Sequence, residues 1–178
     1  MLDLKTGRFV IDAEKGWELH PFMSRKEFFD SGLFKSAFPD INEIKTDKRS
    51  YNLGIVSING YKMYMHIMLG GLHDCIERIS LVSEKMTIKD INNMPSNWKE
   101  IAYETKRIHD EFLQKEMSVA LHGAGDEKDK SFMLPWGGVR SDFCLRYDIP
   151  SAEVVIEYAN LTSEDEERLD KLASKYLW

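Results

Sequence analysis

The chain has 178 residues, the length of a single domain, and its 43% hydrophobic and 30% charged content is ordinary for a globular protein. The formal net charge is −6, and residues 90–178 hold the excess, with 18 acidic against 11 basic side chains. A general nucleic-acid binder, which needs clustered Lys and Arg against phosphate, is therefore disfavoured. No apolar run is long enough for a transmembrane helix, and charged residues near the N-terminus argue against a signal peptide.

The sequence contains two cysteines, Cys75 and Cys144. They form no CxxC motif and are too few for a disulfide framework, so a reducing, cytoplasmic location is expected. Their positions in the sequence say nothing about their distance in the fold, and a bridge between them stays open.

The first third of the chain predicts a strand at 8–12, a helix at 25–30 and a loop at 35–50. Ser24 and Glu27 have the spacing of a capping box, in which the serine hydroxyl accepts from a backbone N–H three residues on and the glutamate accepts from the serine N–H. Gly32 lies just beyond the predicted end of this helix.

A three-stranded antiparallel meander is predicted next, with strands at 51–58, 61–69 and 74–83. Asn59-Gly60 between the first two strands is the dipeptide that a type I′ hairpin turn favours, because both central residues need positive φ. In the middle strand, apolar side chains occupy alternate positions from Tyr61 to Leu69, so one face of the strand is expected to be core.

The segment 96–117 predicts the main helix, because apolar residues recur in it at spacings of three and four. The expected buried stripe consists of Trp98, Ile101, Thr105, Ile108 and Phe112. Charged residues occupy the rest of the helix and are expected in solvent: Lys99, Glu100, Lys106, Arg107, Asp110 and Glu111. His109-Asp110-Glu111 is accordingly interpreted as a solvated face, and a polar loop is predicted from Gly123 to Pro135.

A second hairpin is predicted from strands at 139–147 and 153–158, joined by a turn at 148–151. Its inward side chains are Val139, Ser141, Phe143, Leu145, Tyr147, Val154, Ile156 and Tyr158. Its outward side chains are Arg140, Asp142, Cys144, Arg146, Glu153, Val155 and Glu157. A last helix is predicted at 163–177. Together these elements indicate one α+β domain over residues 1–178, with helices packed on one face of an antiparallel sheet.

Catalytic and metal-binding motifs are sparse in this sequence. The five histidines form no HExxH or other pair with metal-ligand spacing. In His73-Asp74-Cys75 only the first and third side chains would share one side of a strand, which favours a strand-end histidine over a metal ligand. No GxSxG elbow is present for a serine nucleophile. We therefore expect no enzyme, and no need for a metal or a cofactor.

The outward face of the second hairpin is the most highly charged surface that the strand pattern predicts. Arg140, Asp142, Arg146, Glu153 and Glu157 all lie on it. Such a surface fits a catalytic constellation, a partner-binding surface or ordinary cross-strand ion pairs, each worth about 0.2–1 kcal/mol. The residue types alone favour the ion pairs.

Several segments resemble small bacterial immunity proteins, the partners of polymorphic toxins, including those of contact-dependent inhibition systems. These segments are DLKTGRFVID with MSRKEFF after it, the hairpin around Ile58-Asn59-Gly60, WKEIAYETKRIHDEFLQ and WGGVRSDFCLRYDIPSAEVVIEY. The resemblance spans most of residues 3–158 and rests on structural motifs, with no catalytic residue among them. The turn from Asp148 to Ser151 departs from the glycine- and serine-rich turn usual in these proteins.

The resemblance implies a protein that binds a toxin domain, often a nuclease, and covers its active site. A nuclease presents a basic cleft, so an acidic inhibitor surface fits. The residues expected to contact the toxin are Asp126, Glu127, Asp129, Asp142, Glu153 and Glu157. Two other classes stay open. An apolar pocket lined by methionines would favour a ligand-binding or regulatory module, and converging histidine and carboxylate groups with perturbed pKa would favour a small hydrolase.

Overall fold

The computed structural model describes residues 1–40, 48–70, 74–86, 96–117, 130–144 and 151–158. Its strands are β1 (Phe9–Asp12), β2 (Trp17–Leu19), β3 (Ser50–Ile58), β4 (Tyr61–Gly70), β5 (Cys75–Ser83), β6 (Lys130–Leu134), β7 (Gly137–Cys144) and β8 (Ser151–Glu157). Its helices are α1 (Arg25–Asp30), α2 (Gly32–Ala37) and α3 (Trp98–Met117), and a 3₁₀ turn (Glu84–Met86) follows β5. The predicted helix at 163–177 lies outside the described residues, as does the predicted hairpin turn up to residue 150.

Six strands form one antiparallel sheet in the order β3-β4-β5-β8-β7-β6, and β1 pairs with β2 in a separate two-stranded sheet. The α+β class, the meander and the pairing of the second hairpin are therefore confirmed. The sequence predicts a loop as far as Pro135, and this prediction is wrong for Lys130–Leu134, which form strand β6. Five residues are too few to show a clear period, and this strand forms because it pairs along its whole length with β7.

The turn between β3 and β4 has the predicted geometry. Asn59 has a φ of 48° and Gly60 a φ of 86°, and Ile58 pairs with Tyr61 across the turn. Positive φ at both central residues defines the type I′ turn, whose twist matches that of the flanking strands. The asparagine-glycine dipeptide thus sets the register of the first hairpin.

One face of the six-stranded sheet, the inner face, carries the hydrophobic core. Met63, Met65 and Ile67 of β4 are fully buried on it, as the alternation in this strand predicts. Residues paired with them on β5 continue the same buried surface, and Val154 and Ile156 extend it onto β8. The opposite side of the sheet is called the outward face below.

All three helices pack on the inner face. Phe28 of α1 and Phe34 of α2 meet Tyr51 of β3 edge-on, with ring centroids 6.0 and 5.7 Å apart. Phe112 of α3 meets Tyr61 at 5.2 Å. Such edge-to-face contacts add to the free energy gained by burying the rings.

The start of α1 agrees with the predicted capping box, since the side chains of Ser24 and Glu27 each bond the other's backbone N–H. The sequence predicts a helix end at Gly32 and a loop from residue 35. The structure instead has a second short helix, α2, at this point of the chain. Ser31 caps α2 by accepting a hydrogen bond from the Phe34 N–H at 3.1 Å. A helix this short is stabilised by tertiary packing rather than by its own propensity.

α3 lies close to the predicted boundaries, but its buried face differs from the predicted stripe. Trp98, Ile101 and Ile108 are only half-buried. The buried positions are Ala102, Thr105, Lys106, His109, Asp110, Phe112 and Leu113. Solvent exposure is therefore the wrong expectation for Lys106, His109 and Asp110. A hydrophobicity pattern cannot register that Lys106 and Asp110, one helical turn apart, neutralise each other in the core.

The N-terminal hairpin is attached to the sheet by two aromatic side chains. Trp136 Nε1 donates to the Leu4 carbonyl at 3.0 Å, and the Tyr158 hydroxyl donates to the Gly7 carbonyl at 2.8 Å. Gly7 has a φ of +72°, and a Cβ there would lie 2.7 Å from Pro21 and 2.8 Å from Trp136. The close approach and the positive φ both require glycine at this position.

Candidate functional site

The outward face of the sheet carries three of the residues predicted to bind a partner. In the register of β5, β8 and β7, Arg78 lies opposite Glu157, and Asp142 lies opposite Glu153. We call the ionisable residues of this region the charged array: Arg78, Arg140, Asp142, Glu153 and Glu157. Their side chains are between 27% and 39% exposed. Each is thus held on the protein surface and still reaches solvent.

Arg140 bridges two carboxylates of the charged array. Its Nη1 donates to Glu157 Oε2 at 2.6 Å, and its Nε lies 3.3 Å from both carboxylate oxygens of Asp142. Partial burial works against the charge of the guanidinium, but the charges of Asp142 and Glu157 outweigh it and raise the pKa of Arg140. Arg140 therefore fixes the position of two acidic side chains from neighbouring strands.

Arg78 holds the third carboxylate. Its Nη2 donates to Glu153 Oε1 at 2.8 Å, and its Nε donates to Ser80 Oγ at 3.2 Å. No pattern in the sequence predicts a role for Arg78, because Arg78 and Glu153 are 75 positions apart. No local pattern connects β5 with the second hairpin, and only the sheet order brings these strands together.

Asp142 and Glu153 face each other directly across β7 and β8. Like charges in this arrangement repel and destabilise a strand pair. Arg140 on one side and Arg78 on the other offset the repulsion, since each binds one carboxylate of the pair. The five residues of the array are three acidic and two basic groups.

The centre of the array is closed to solvent. Val155 faces outward, as predicted, and lies opposite Arg140, yet its exposed fraction is 0%. Ser80, next to it on β5, is 8% exposed. Small-molecule sites are concave and largely apolar, whereas this region is a sheet surface with a filled centre and charged surroundings. Its shape suits another protein better than a small ligand.

A histidine–serine pair lies on the same face, on β4 and β3. His66 Nε2 and Ser50 Oγ are 2.6 Å apart, and burial, followed by the charge of Arg78, lowers the pKa of His66. A neutral imidazole beside a hydroxyl is one requirement of the hydrolase alternative. The base of such a site is usually held by a third group, and the described part of the chain provides no hydrogen bond to Nδ1 of His66. The pair alone does not make a catalytic site.

A second polar cluster, the buried seam, lies between α3 and the inner face and consists of Lys106, His109, Asp110 and Ser83. Lys106 Nζ and Asp110 Oδ1 are 2.5 Å apart, with side chains 1% and 10% exposed. His109 Nε2 accepts from the Ser83 backbone N–H at 2.9 Å. Burial, and then the charge of Lys106, lowers the pKa of His109 to about 4. These side chains are almost entirely buried between α3 and the sheet and form part of the core.

The remaining candidates from the sequence are the acidic residues of the predicted loop and the two cysteines. Asp126, Glu127 and Asp129 lie outside the described residues, so their predicted role stays a prediction. Cys75 is present as a thiol, and burial raises its pKa to about 11, which makes it a poor nucleophile. Within the described ranges, no group of three His, Cys, Asp or Glu side chains is placed to hold a metal ion. The side chain of Cys144 is not among those described.

A cleft of about 370 Å³ opens between the start of β4, the end of β5 and α3. Its lining residues are Gly60, Tyr61, Lys62, Met63, Ser83, Glu84, Lys85 and Ile108. The ligand-binding alternative predicts a pocket lined by several methionines, whereas Met65 is fully buried in the core. Met63 and Met65 are therefore packing residues on the inner face, and Met63 also lines this cleft.

Comparison of the chain with protein-family models, curated proteins and solved structures found no match. No helix in the described ranges combines the length and the apolar character needed to cross a membrane. The charged array is thus identified by its own geometry, and no residue role is carried over from another protein.

Proposed function

We propose that this chain is an immunity protein that binds a nucleic-acid-cleaving toxin domain and covers its active site. The observation that carries this proposal is the charged array, in which two arginines fix three carboxylates on neighbouring strands. The resemblance of the sequence to bacterial immunity proteins supports the same function.

Physical chemistry favours a basic partner for this surface. A nuclease presents cationic side chains to phosphate groups, and carboxylates on strands about 5 Å apart offer it anionic oxygens instead. Because Arg78 and Arg140 already hold these carboxylates, little side-chain entropy is lost on binding. A cation from the partner would also relieve the repulsion between Asp142 and Glu153. The net charge of −6 steers the chain toward a basic cleft, at rates that fall as salt rises.

The test is protection of cells that express the toxin domain encoded beside this gene. The double variant Glu153→Lys and Glu157→Lys reverses two charges of the array and is expected to weaken toxin binding at least tenfold. Exposed Glu14 and Glu100, which lie away from the outward face, provide a control with the same change in net charge. The Glu14→Lys and Glu100→Lys variant is expected to bind within about twofold of the unmodified protein. Association and dissociation rate constants at two salt concentrations separate steering, which acts on association, from direct contact, which acts on dissociation.

The outcomes distinguish the function from the surface. If the unmodified protein does not protect cells, the immunity function is wrong. If it protects but both double variants bind equally well, the array is not the contact surface. Charge reversal at Asp126, Glu127 and Asp129 tests the remaining predicted contacts in the same assay.

A further inference from the structure

We propose that the outer edge of β6 pairs with β6 of a second copy of this chain, forming an antiparallel, two-fold symmetric strand pair. β6 is one edge of the six-stranded sheet, and no described strand bonds to its outer side. Edge strands present a row of N–H and C=O groups that another extended chain satisfies. This inference concerns self-association and does not depend on the proposed function.

The backbone groups on this edge follow from the alternation of an antiparallel ladder. The Tyr158 N–H, one residue beyond the end of β8, donates to the Glu77 carbonyl at 2.8 Å. Because hydrogen bonds alternate between the two sides of a strand, the backbone groups of even-numbered β8 residues bond to β5. Those of odd-numbered β8 residues bond to β7. The registers of β8 with β7 and of β7 with β6 run without a shift and carry the same alternation outward. The N–H and C=O groups of Ser131 and Met133 therefore point away from the sheet.

The two edges of the sheet differ in how well they are protected. β3, at the opposite edge, has a register shift between Asn52 and Gly54, with a φ of +76° at Gly54, and β1 packs beside it. Such bulges interrupt the ladder and discourage further pairing. β6 has no bulge, and Met133 on it is 67% exposed. β6 is therefore the edge that can accept another strand.

A second copy is the occupant whose own sequence fits this edge. If the symmetry axis passes between the two copies of Phe132, Ser131 of each copy faces Met133 of the other. Each of these pairs exchanges both of its N–H···O=C bonds, so every outward backbone group of Ser131 and Met133 is satisfied. Lys130 then faces Leu134, and no like charges oppose each other. The exposed Met133 side chain also gains a neighbour on the outward face.

The first experiment is sedimentation velocity of the full chain over a concentration series. We expect a monomer–dimer equilibrium with a dissociation constant on the order of micromolar, because an interface of one short strand pair is small. Met133→Lys should weaken the dimer at least tenfold, since lysine on an edge strand opposes pairing. Ile55, on β3, is 50% exposed, and Ile55→Lys likewise replaces an exposed apolar side chain by lysine, at the other edge of the sheet. This control should leave the dissociation constant unchanged.

Hydrogen exchange of individual backbone amides then tests the register. Exchange at Ser131 and Met133 should slow as the protein concentration rises, in step with dimer formation. A chain that stays monomeric at all concentrations overturns the inference, as does a dimer disrupted by Ile55→Lys but not by Met133→Lys. Protection of the two amides at the lowest concentration, or only after a toxin is added, would assign the edge to a different occupant and also overturn it.

Discussion

The buried seam and the charged array contain the same chemistry in different environments. The Lys106–Asp110 pair and the Arg140–Glu157 pair are 2.5 and 2.6 Å apart, so their geometry is nearly equal. The side chains are 1% and 10% exposed in the first pair, but 34% and 39% in the second. A buried pair gives up the hydration of both charges, whereas a half-exposed pair keeps much of it. Environment rather than distance therefore decides what each pair contributes.

The position of the seam explains why the fold retains polar groups there. The pairing of β5 with β8 ends at Leu81 and Val154, so Ser83 has no strand partner on that side. His109 takes the place of the missing strand and accepts the Ser83 N–H. A buried N–H without an acceptor would cost about 1–3 kcal/mol. The seam thus joins α3 to the sheet at the point where two strands part, while the array leaves its charges available to a partner.

The largest expected effect is the removal of one member of the buried pair. Lys106→Ala removes the ammonium group 2.5 Å from the buried Asp110 carboxylate, and should lower the free energy of unfolding by about 3–5 kcal/mol. Arg140→Ala, the matched change in the array, should cost no more than about 1 kcal/mol. Urea denaturation of both variants measures the difference. Equal losses would contradict the distinction between the two clusters.

Removing both buried charges sharpens the same comparison. The double variant Lys106→Met and Asp110→Leu replaces the pair by apolar groups of similar size. Its free energy of unfolding should be close to that of the unmodified protein, or up to about 4 kcal/mol higher. If the double variant is as unstable as Lys106→Ala in the same urea titration, the pair is held by interactions other than mutual neutralisation.

The pH dependence of stability should come more from the seam than from the outward face. The pKa of His109 is about 4 in the folded chain, against an ordinary value of 6.5, so the unfolded chain binds more protons between these values. The contribution of His109 to the free energy of unfolding is therefore fully present above about pH 6.5. As the pH drops toward 4, the free energy of unfolding falls by up to about 3 kcal/mol. Unfolding at pH 7.5 and 4.5 measures this fall. His109→Gln should remove most of it and His66→Gln only a little; the reverse order would be inconsistent with the burial of the two side chains.

The smallest effect is expected from neutralising one acid of the array. Glu153→Gln loses the ion pair with Arg78 but also relieves the repulsion from Asp142, so the two changes partly cancel. The free energy of unfolding should stay within about 0.5 kcal/mol of the unmodified value, as for most surface substitutions. Thermal unfolding checks this. A loss above about 2 kcal/mol would show that the array is part of the structural core.

Local patterns in the sequence determined those parts of the fold that depend on neighbouring residues. Asn59-Gly60 adopts the positive φ angles that the hairpin turn requires, and Ser24 and Glu27 form a capping box within one helical turn. The alternation of apolar residues in β4 assigns its buried face. β6 and α2 were not predicted, because each is short and forms only by pairing or packing with distant segments. Single-sequence patterns carry no information about such partners.

The candidate site divides in the same way. The sequence alone placed Asp142, Glu153 and Glu157 on one face of a hairpin, because side chains alternate along strands. Only the tertiary structure brought Arg78 to Glu153, filled the space around Val155 and buried Lys106 with Asp110. These contacts depend on the order of strands in the sheet and on the rotation of α3 against it. Both are decided by how the whole core packs, and no stretch of neighbouring residues specifies them.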